Sequence, residues 1–329
     1  NYNVAVGYNA GNDITTGVRN TLIGGLAGDA ITSGDNNIAI GYGSMGANTL
    51  ADRNIAIGSQ ALEVFNITTS TDSYNVAVGF QAGNDMTTGI SNTLIGGFAG
   101  DALTDADENV AVGTSALGAD TLGSKSVAIG RDALKSQNFT TATNVFNVAV
   151  GALSGDAITT GDKNVLVGGA SGGALTTGAE NTALGTSALA ADTLGKYSVA
   201  IGRSALTTQN FTTDTATYNT ALGYKAGTSV TFGTVNTLIG GLAGDALTEG
   251  NNNVAVGYAA LGSDTKGDRN ISIGSGSLAT QNFTTSTDSY NVAVGHNAGN
   301  AITTGVQNVF VGGLSGDSTT DADGNVGVG

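Results

Sequence analysis

The side chains most open to chemistry recur at fixed intervals. Four Asn-x-Thr tripeptides begin at Asn66, Asn138, Asn210 and Asn282, each 72 residues after the last. They lie in Phe65-Asn66-Ile67-Thr68, Gln137-Asn138-Phe139-Thr140, Gln209-Asn210-Phe211-Thr212 and Gln281-Asn282-Phe283-Thr284. Asn-x-Thr accepts N-linked sugar. One reading makes these segments glycan-bearing or receptor-facing bulges with Phe139, Phe211 and Phe283 at their surface. The other makes them one loop copied four times, its aromatics folded back onto the chain.

Other chemistry is thinly represented. Asp105-Ala106-Asp107-Glu108 and Asp321-Ala322-Asp323-Gly324 echo the opening of a calcium loop, but the glycine and closing glutamate such a loop needs are out of place. These acids read as solvated turns. The lone histidine, His296, and the absence of cysteine exclude Ser-His-Asp catalysis in its usual form, Cys nucleophiles, disulfides, and multi-His and thiolate metal sites. No coil interrupts the repeat with convergent carboxylates, so no enzyme and no cofactor is expected. Gly24-Gly25 and Gly312-Gly313 precede no helix and cannot cradle phosphate. A net charge of −15, from 11 Lys+Arg against 26 Asp+Glu, disfavours nucleic acid as a partner. No apolar run approaches the roughly 18 residues of a membrane span, so no membrane insertion is expected.

The elements that position these residues follow from an internal repeat. Asn-Val-Ala-Val-Gly begins at Asn3, Asn75, Asn147 and Asn291, with Asn-Thr-Ala-Leu-Gly at Asn219. Within each 72-residue block the motif recurs at spacings of 17, 17, 17 and 21, giving 19 starts and 18 complete units. Position one is Asn in nearly every unit, as at Asn3, Asn20, Asn37, Asn54 and Asn75, with Ser126 and Ser198 the exceptions. Position five is always Gly, as at Gly7, Gly24, Gly41, Gly58 and Gly79. Position eight is Ala or Ser, and position thirteen is Thr in every 17-residue unit.

A β-branched residue at position two and a branched apolar residue at position four have the period of a strand. Gly at position five ends it. One short strand per coil, copied in register, predicts an all-β parallel β-solenoid whose columns stack. Eighteen coils at strand spacing would extend ~85 Å as a rod. The Asn column is expected to hydrogen-bond amide to amide, and the Thr column to sit on an outer strand. The fourth column is expected to fill the core. Position three, Ala in most units and Leu or Phe once per block, then points away from it. A strand apolar on both sides needs a second partner, and a parallel homotrimer packed through position three supplies one.

The pattern Asn/Ser-Val-Ala-Val/Ile-Gly-x-x-Ala/Ser, as in Asn75 to Ala82, resembles the head repeats of trimeric autotransporter adhesins, the YadA-like left-handed parallel β-roll family. Asn236 to Thr248 is similar to the repeats of long bacteriophage fibres, especially marine ones. The resemblance covers the whole chain and implies a left-handed β-roll, a homotrimer and an extracellular role in attachment. Coils longer than the adhesin repeat favour a phage-type tail-fibre shaft; a bacterial cell-surface adhesin whose rod binds host or matrix is the alternative. With no atypical coil at either end, residues 1–329 read as one continuous shaft excerpted from a longer fibre. A host-cell receptor or glycan would then be engaged through a tip outside it.

Overall fold

The computed structural model describes residues 2–329. The chain divides into two compact units, one ending at Lys163 and the other spanning Asn164–Gly329. Taken separately, each is a parallel β-solenoid, and no helix occurs among the described residues. In the first, nine three-residue strands from Val4–Val6 to Val148–Val150 follow one another coil by coil. In the second, ten run from Val165–Val167 to Val326–Val328. Neighbouring strands pair in parallel with identical columns opposite each other, as in Val4 with Thr21, Ala5 with Leu22 and Val6 with Ile23. The columns of the sequence are therefore columns in space.

The sidedness of the strand is the reverse of the expectation. Position three is the inward one: Leu22, Ala39, Ala56, Ala77 and Leu94 are fully buried. Positions two and four point outward, and Ile23 and Ile95 of the fourth column keep 38% and 39% of their surface. The reason is the narrowness of the coil. Positions three and eight are both small and buried, and where both carry hydroxyls they touch, Ser272 Oγ to Ser277 Oγ at 2.6 Å; a Val or Ile column in place of Ala would overfill that space.

The core also alternates along the block. Leu22 occupies room left by glycines at position nine of its own and the preceding coil. A Cβ on Gly11 would lie 2.7 Å from Leu22 Cδ1, and one on Gly28 2.8 Å from Leu22 Cδ2. In the next two coils position three returns to Ala, and position nine becomes the buried Met45 and Leu62. The large side chain thus moves from strand to turn along the block, and the Leu of the second coil also fills the space over the glycine of the first, whose own position three is Ala.

Two polar ladders tie the coils. Asn20 Oδ1 accepts the backbone N–H of Asn37 at 2.9 Å, and Asn37 Oδ1 that of Asn54 at 2.9 Å. Asn20 Nδ2 donates to Gly34 O within its own coil at 2.8 Å, as Asn37 Nδ2 does to Ala51 O at 2.9 Å. Contacts between the side-chain amides are longer, 3.2 Å from Asn54 to Asn37 and 3.4 Å from Asn92 to Asn75. The column is thus chiefly a side-chain-to-backbone ladder. The Thr column lies in a bend rather than on an outer strand, and where a Thr follows one coil later the hydroxyl donates to its carbonyl, Thr32 Oγ1 to Thr49 O at 3.2 Å for example. The fifth-column glycines have φ near +135°, and a Cβ on Gly24 would lie 2.6 Å from Gly41 O. No other residue fits there.

Candidate functional site

Three features stand apart from the regular coil: the long-coil bulge, the outer sheet face and a set of buried carboxylates. The four extra residues of each 21-residue coil enter at one point, just before a second, two-residue strand. Thr71–Asp72 pairs there with Ala51–Asp52 of the preceding coil, and Thr143–Asn144 with Gly123–Ser124. The second unit repeats this with Thr215–Ala216 on Gly195–Lys196 and Thr287–Asp288 on Gly267–Asp268.

The Asn of each Asn-x-Thr takes the place of the thirteenth-column Thr. Its Oδ1 accepts the hydroxyl of the Thr one coil back: Asn66 from Thr49 at 2.8 Å, and Asn138, Asn210 and Asn282 from Thr121, Thr193 and Thr265 at 3.1 Å. Asn138 and Asn282 are exposed, while Asn66 and Asn210 are half-buried. Phe139, Phe211 and Phe283 are buried, at 8%, 6% and 6% exposure, so they are not at a receptor-facing surface. Their rings close the enlarged loop. The exposed aromatics of these coils are instead Tyr74, Phe146, Tyr218 and Tyr290, at the last position before the next Asn.

That last position belongs to the outer face. With positions two, four and six it forms a period-two row, such as Tyr74-Val76-Val78-Phe80 or Tyr218-Thr220-Leu222-Tyr224. Stacked in register, the rows make a stripe of Val, Ile, Thr and Leu with polar and aromatic margins. At one margin each long coil pairs its last residue with that of the coil before. Arg53 lies over Tyr74 at 5.6 Å, Lys125 over Phe146 at 5.8 Å and Arg269 over Tyr290 at 5.5 Å, while Tyr197 stacks on Tyr218 at 5.3 Å. Arg53 also donates to Tyr74 Oη at 2.7 Å and pairs with Asp72; Arg269 repeats this with Tyr290 and Asp288.

The fully buried carboxylates are Asp120, Asp192 and Asp264, all at position twelve. Asp120 Oδ1 accepts the N–H of Gly123 at 3.1 Å and of Phe139 at 2.9 Å; its Oδ2 accepts Gln137 Nε2 at 2.6 Å. Gln137 Nε2 also donates to Ser126 Oγ at 3.1 Å, and its Oε1 accepts Asn147 Nδ2 at 2.9 Å. Asp192 with Gln209 and Asp264 with Gln281 repeat the centre. Burial pushes the Asp264 carboxyl above its ordinary value, against the hydrogen bonds from Phe283 and Gln281. No buried side-chain polar atom among the described residues lacks a partner. A network so fully satisfied fixes the long coil onto its neighbour rather than presenting a reactive group. The signal was in the sequence: Asp, then Gly three residues on, then Gln one coil later, three times over.

The turn acids have backbone partners too. Asp107 Oδ1 accepts Ile90 N at 2.8 Å, and Asp323 Oδ1 accepts Val306 N at 2.8 Å. No group of three His, Cys, Asp or Glu suited to hold a metal occurs among the described residues. His296 is exposed at position six.

Fold and site together define a class: a parallel β-solenoid with a small-residue core, an apolar outer sheet face and a bulge every fourth coil. No protein-family model matches this chain, and no curated protein matches it.

Proposed function

We propose that the chain is a shaft segment of a surface-attachment fibre, of the phage tail-fibre type, in which three parallel copies pack through the outer sheet faces. The observation that carries this reading is the outward orientation of positions two and four. Val76, Val78, Thr93 and Ile95 stand half-buried or exposed in one continuous stripe. A water-facing stripe of β-branched residues gains about 25 cal/mol for each Å² covered, and its repetition in every coil suits a partner of the same period. A second copy has that period by construction. The interface therefore uses the opposite strand face from the one the sequence suggested.

The role is mechanical and extracellular, and a host receptor or glycan is met through a tip beyond this segment. The second reading, a bacterial cell-surface adhesin whose shaft itself binds, is favoured by the exposed aromatics beside the long coils.

Light scattering on the purified chain tests the assembly. Three chains of 32.2 kDa are expected. Val78→Glu with Ile95→Glu, both outward, should lower the mass to one chain with the β circular dichroism kept. Ala77→Glu, inward, should abolish the fold. A parent mass of one chain overturns the reading.

A further inference from the structure

A notch recurs on the first unit at the same columns of two successive blocks. In the second block it measures about 500 Å³ and is lined by Phe98, Asp101, Ser115, Gly118, Lys135 and Asn138, among others. In the first block it measures about 320 Å³, and Leu26, Asp29, Gly43, Gly46 and Glu63 hold the equivalent positions. Its cause is position ten, where Gly46 and Gly118 interrupt a column that carries side chains in the coils on either side. The frame repeats while the wall changes, from Leu26 to Phe98 and from Glu63 to Lys135.

The walls of the larger notch are amphiphilic. Phe98 is 39% exposed, held by a left-handed backbone at φ 58° and by an edge-on contact with Phe80 at 5.3 Å. A Cβ on Gly118 would lie 3.3 Å from both Asp101 Oδ1 and Ser115 O, so a carboxylate and a carbonyl converge on the floor. Burial raises the Asp101 carboxyl above its usual range. Lys135 is steadied by Asp132 at 3.3 Å, and the Asn138 amide is oriented by Thr121 Oγ1 at 3.1 Å.

We propose that this notch binds one or two sugar rings of an oligosaccharide. The C–H face of a pyranose ring packs on Phe98. Its hydroxyls donate to Asp101 and the Ser115 carbonyl and accept from Lys135 and Asn138. The volume lies in the range of ligand sites, and the missing side chain at Gly118 leaves the polar floor open to a ring. The proposal rests on the attachment reading and gives the shaft a share in recognition. Its failure is separable, because assembly is read by mass and sugar binding is not.

The test uses the full chain on an array of neutral and acidic bacterial-surface oligosaccharides, followed by calorimetry with the best array sugar and with Ca²⁺ alone. At least one sugar should bind, and Phe98→Ala and Asp101→Ala should each weaken it tenfold or more. Thr16→Ala, exposed and outside both the notch and the outer face, should leave binding unchanged. No array sugar bound, equal binding by both notch variants, or Ca²⁺ binding without sugar overturns the proposal.

Discussion

The first two long coils of the first unit close the same gap with opposite chemistry. In coil 54–74 the gap is filled by Phe65, fully buried, beside Asn48 and Ala51 of the coil before. Asn48 Oδ1 accepts Ala51 N at 3.0 Å and its Nδ2 returns to Ala51 O at 3.1 Å, so this amide is satisfied locally. In coil 126–146 the same column holds Gln137, and the residues before it are Asp120 and Gly123. The carboxylate cannot close a local pair as the amide does. It needs donors from the next coil, and Gln137 and the Phe139 N–H supply them. Position one shortens from Asn54 to Ser126, whose hydroxyl lies 3.1 Å from Gln137 Nε2. The extra strand pair is kept while Asp, Gly and Gln replace Asn, Ala and Phe together, which identifies those three as one packing unit; position one follows in two of the three such coils, the last keeping Asn270.

The comparison breaks most sharply at Gly123. A Cβ there would sit 2.9 Å from Asp120 Cγ, whereas Ala51 is accommodated beside Asn48. Gly123→Ala should cost about 3 kcal/mol, read by denaturant unfolding and by amide exchange in coils 109–146. Asp120→Asn on top of it should recover part of the loss. A Gly123→Ala chain as stable as the parent would show the two designs to be interchangeable.

Gln137→Ala should cost about 2 kcal/mol, because it strips a donor from buried Asp120 and an acceptor from Asn147. Phe65→Gln in the first block, offered no carboxylate, should lower stability as well, and restoring it would require Asn48→Asp and Ala51→Gly.

A third expectation concerns pH. Asp264 has its folded carboxyl raised by burial above the roughly 3.9 of an unfolded aspartate. The folded chain therefore holds this proton to higher pH than the unfolded one. Its contribution is full below the unfolded value and is lost as pH rises through the folded one. The parent's stability relative to Asp264→Asn should grow as pH falls from about 7 to about 4; denaturant midpoints at the two pH values check it. A constant difference would mean that Asp264 titrates alike in both states. The smallest effect is Ala51→Gly, expected to cost about 0.5–1 kcal/mol through backbone entropy alone.

The coil was legible because stacking makes the sequence columnar. Asn3, Gly7 and their copies mark one turn each, and the paired strands fall where Val, Ala and Val stand together. The side of the strand that faces inward was not legible. Branched residues at positions two and four imitate a buried row, and only the width of the coil decides that Ala77 goes in and Val78 out. The bulge was found through Asn66, Asn138, Asn210 and Asn282, yet its buried half was missed. Asp120 and Gln137 are polar, and only their joint replacement by Asn48 and Phe65 reveals that they touch. The notch was hidden for another reason: Gly118 creates it by lacking a side chain.

The alternation of Leu22 in the strand with Leu62 in the turn sets a counting rule for how such a chain can change length. Removing the Ala77/Gly83 coil would set the leucine-bearing turn of Leu62 against the leucine-bearing strand of Leu94, and removing the Leu94 coil would leave the space over Gly83 unfilled. Removing all four coils of a block restores every layer to a neighbour of the kind it had. A crossover between equivalent points of two blocks therefore yields a packed product with its long coils in phase, and length is expected to vary in steps of 72 residues. The small-residue core acts as a reading frame, one written in side-chain volume rather than in codons.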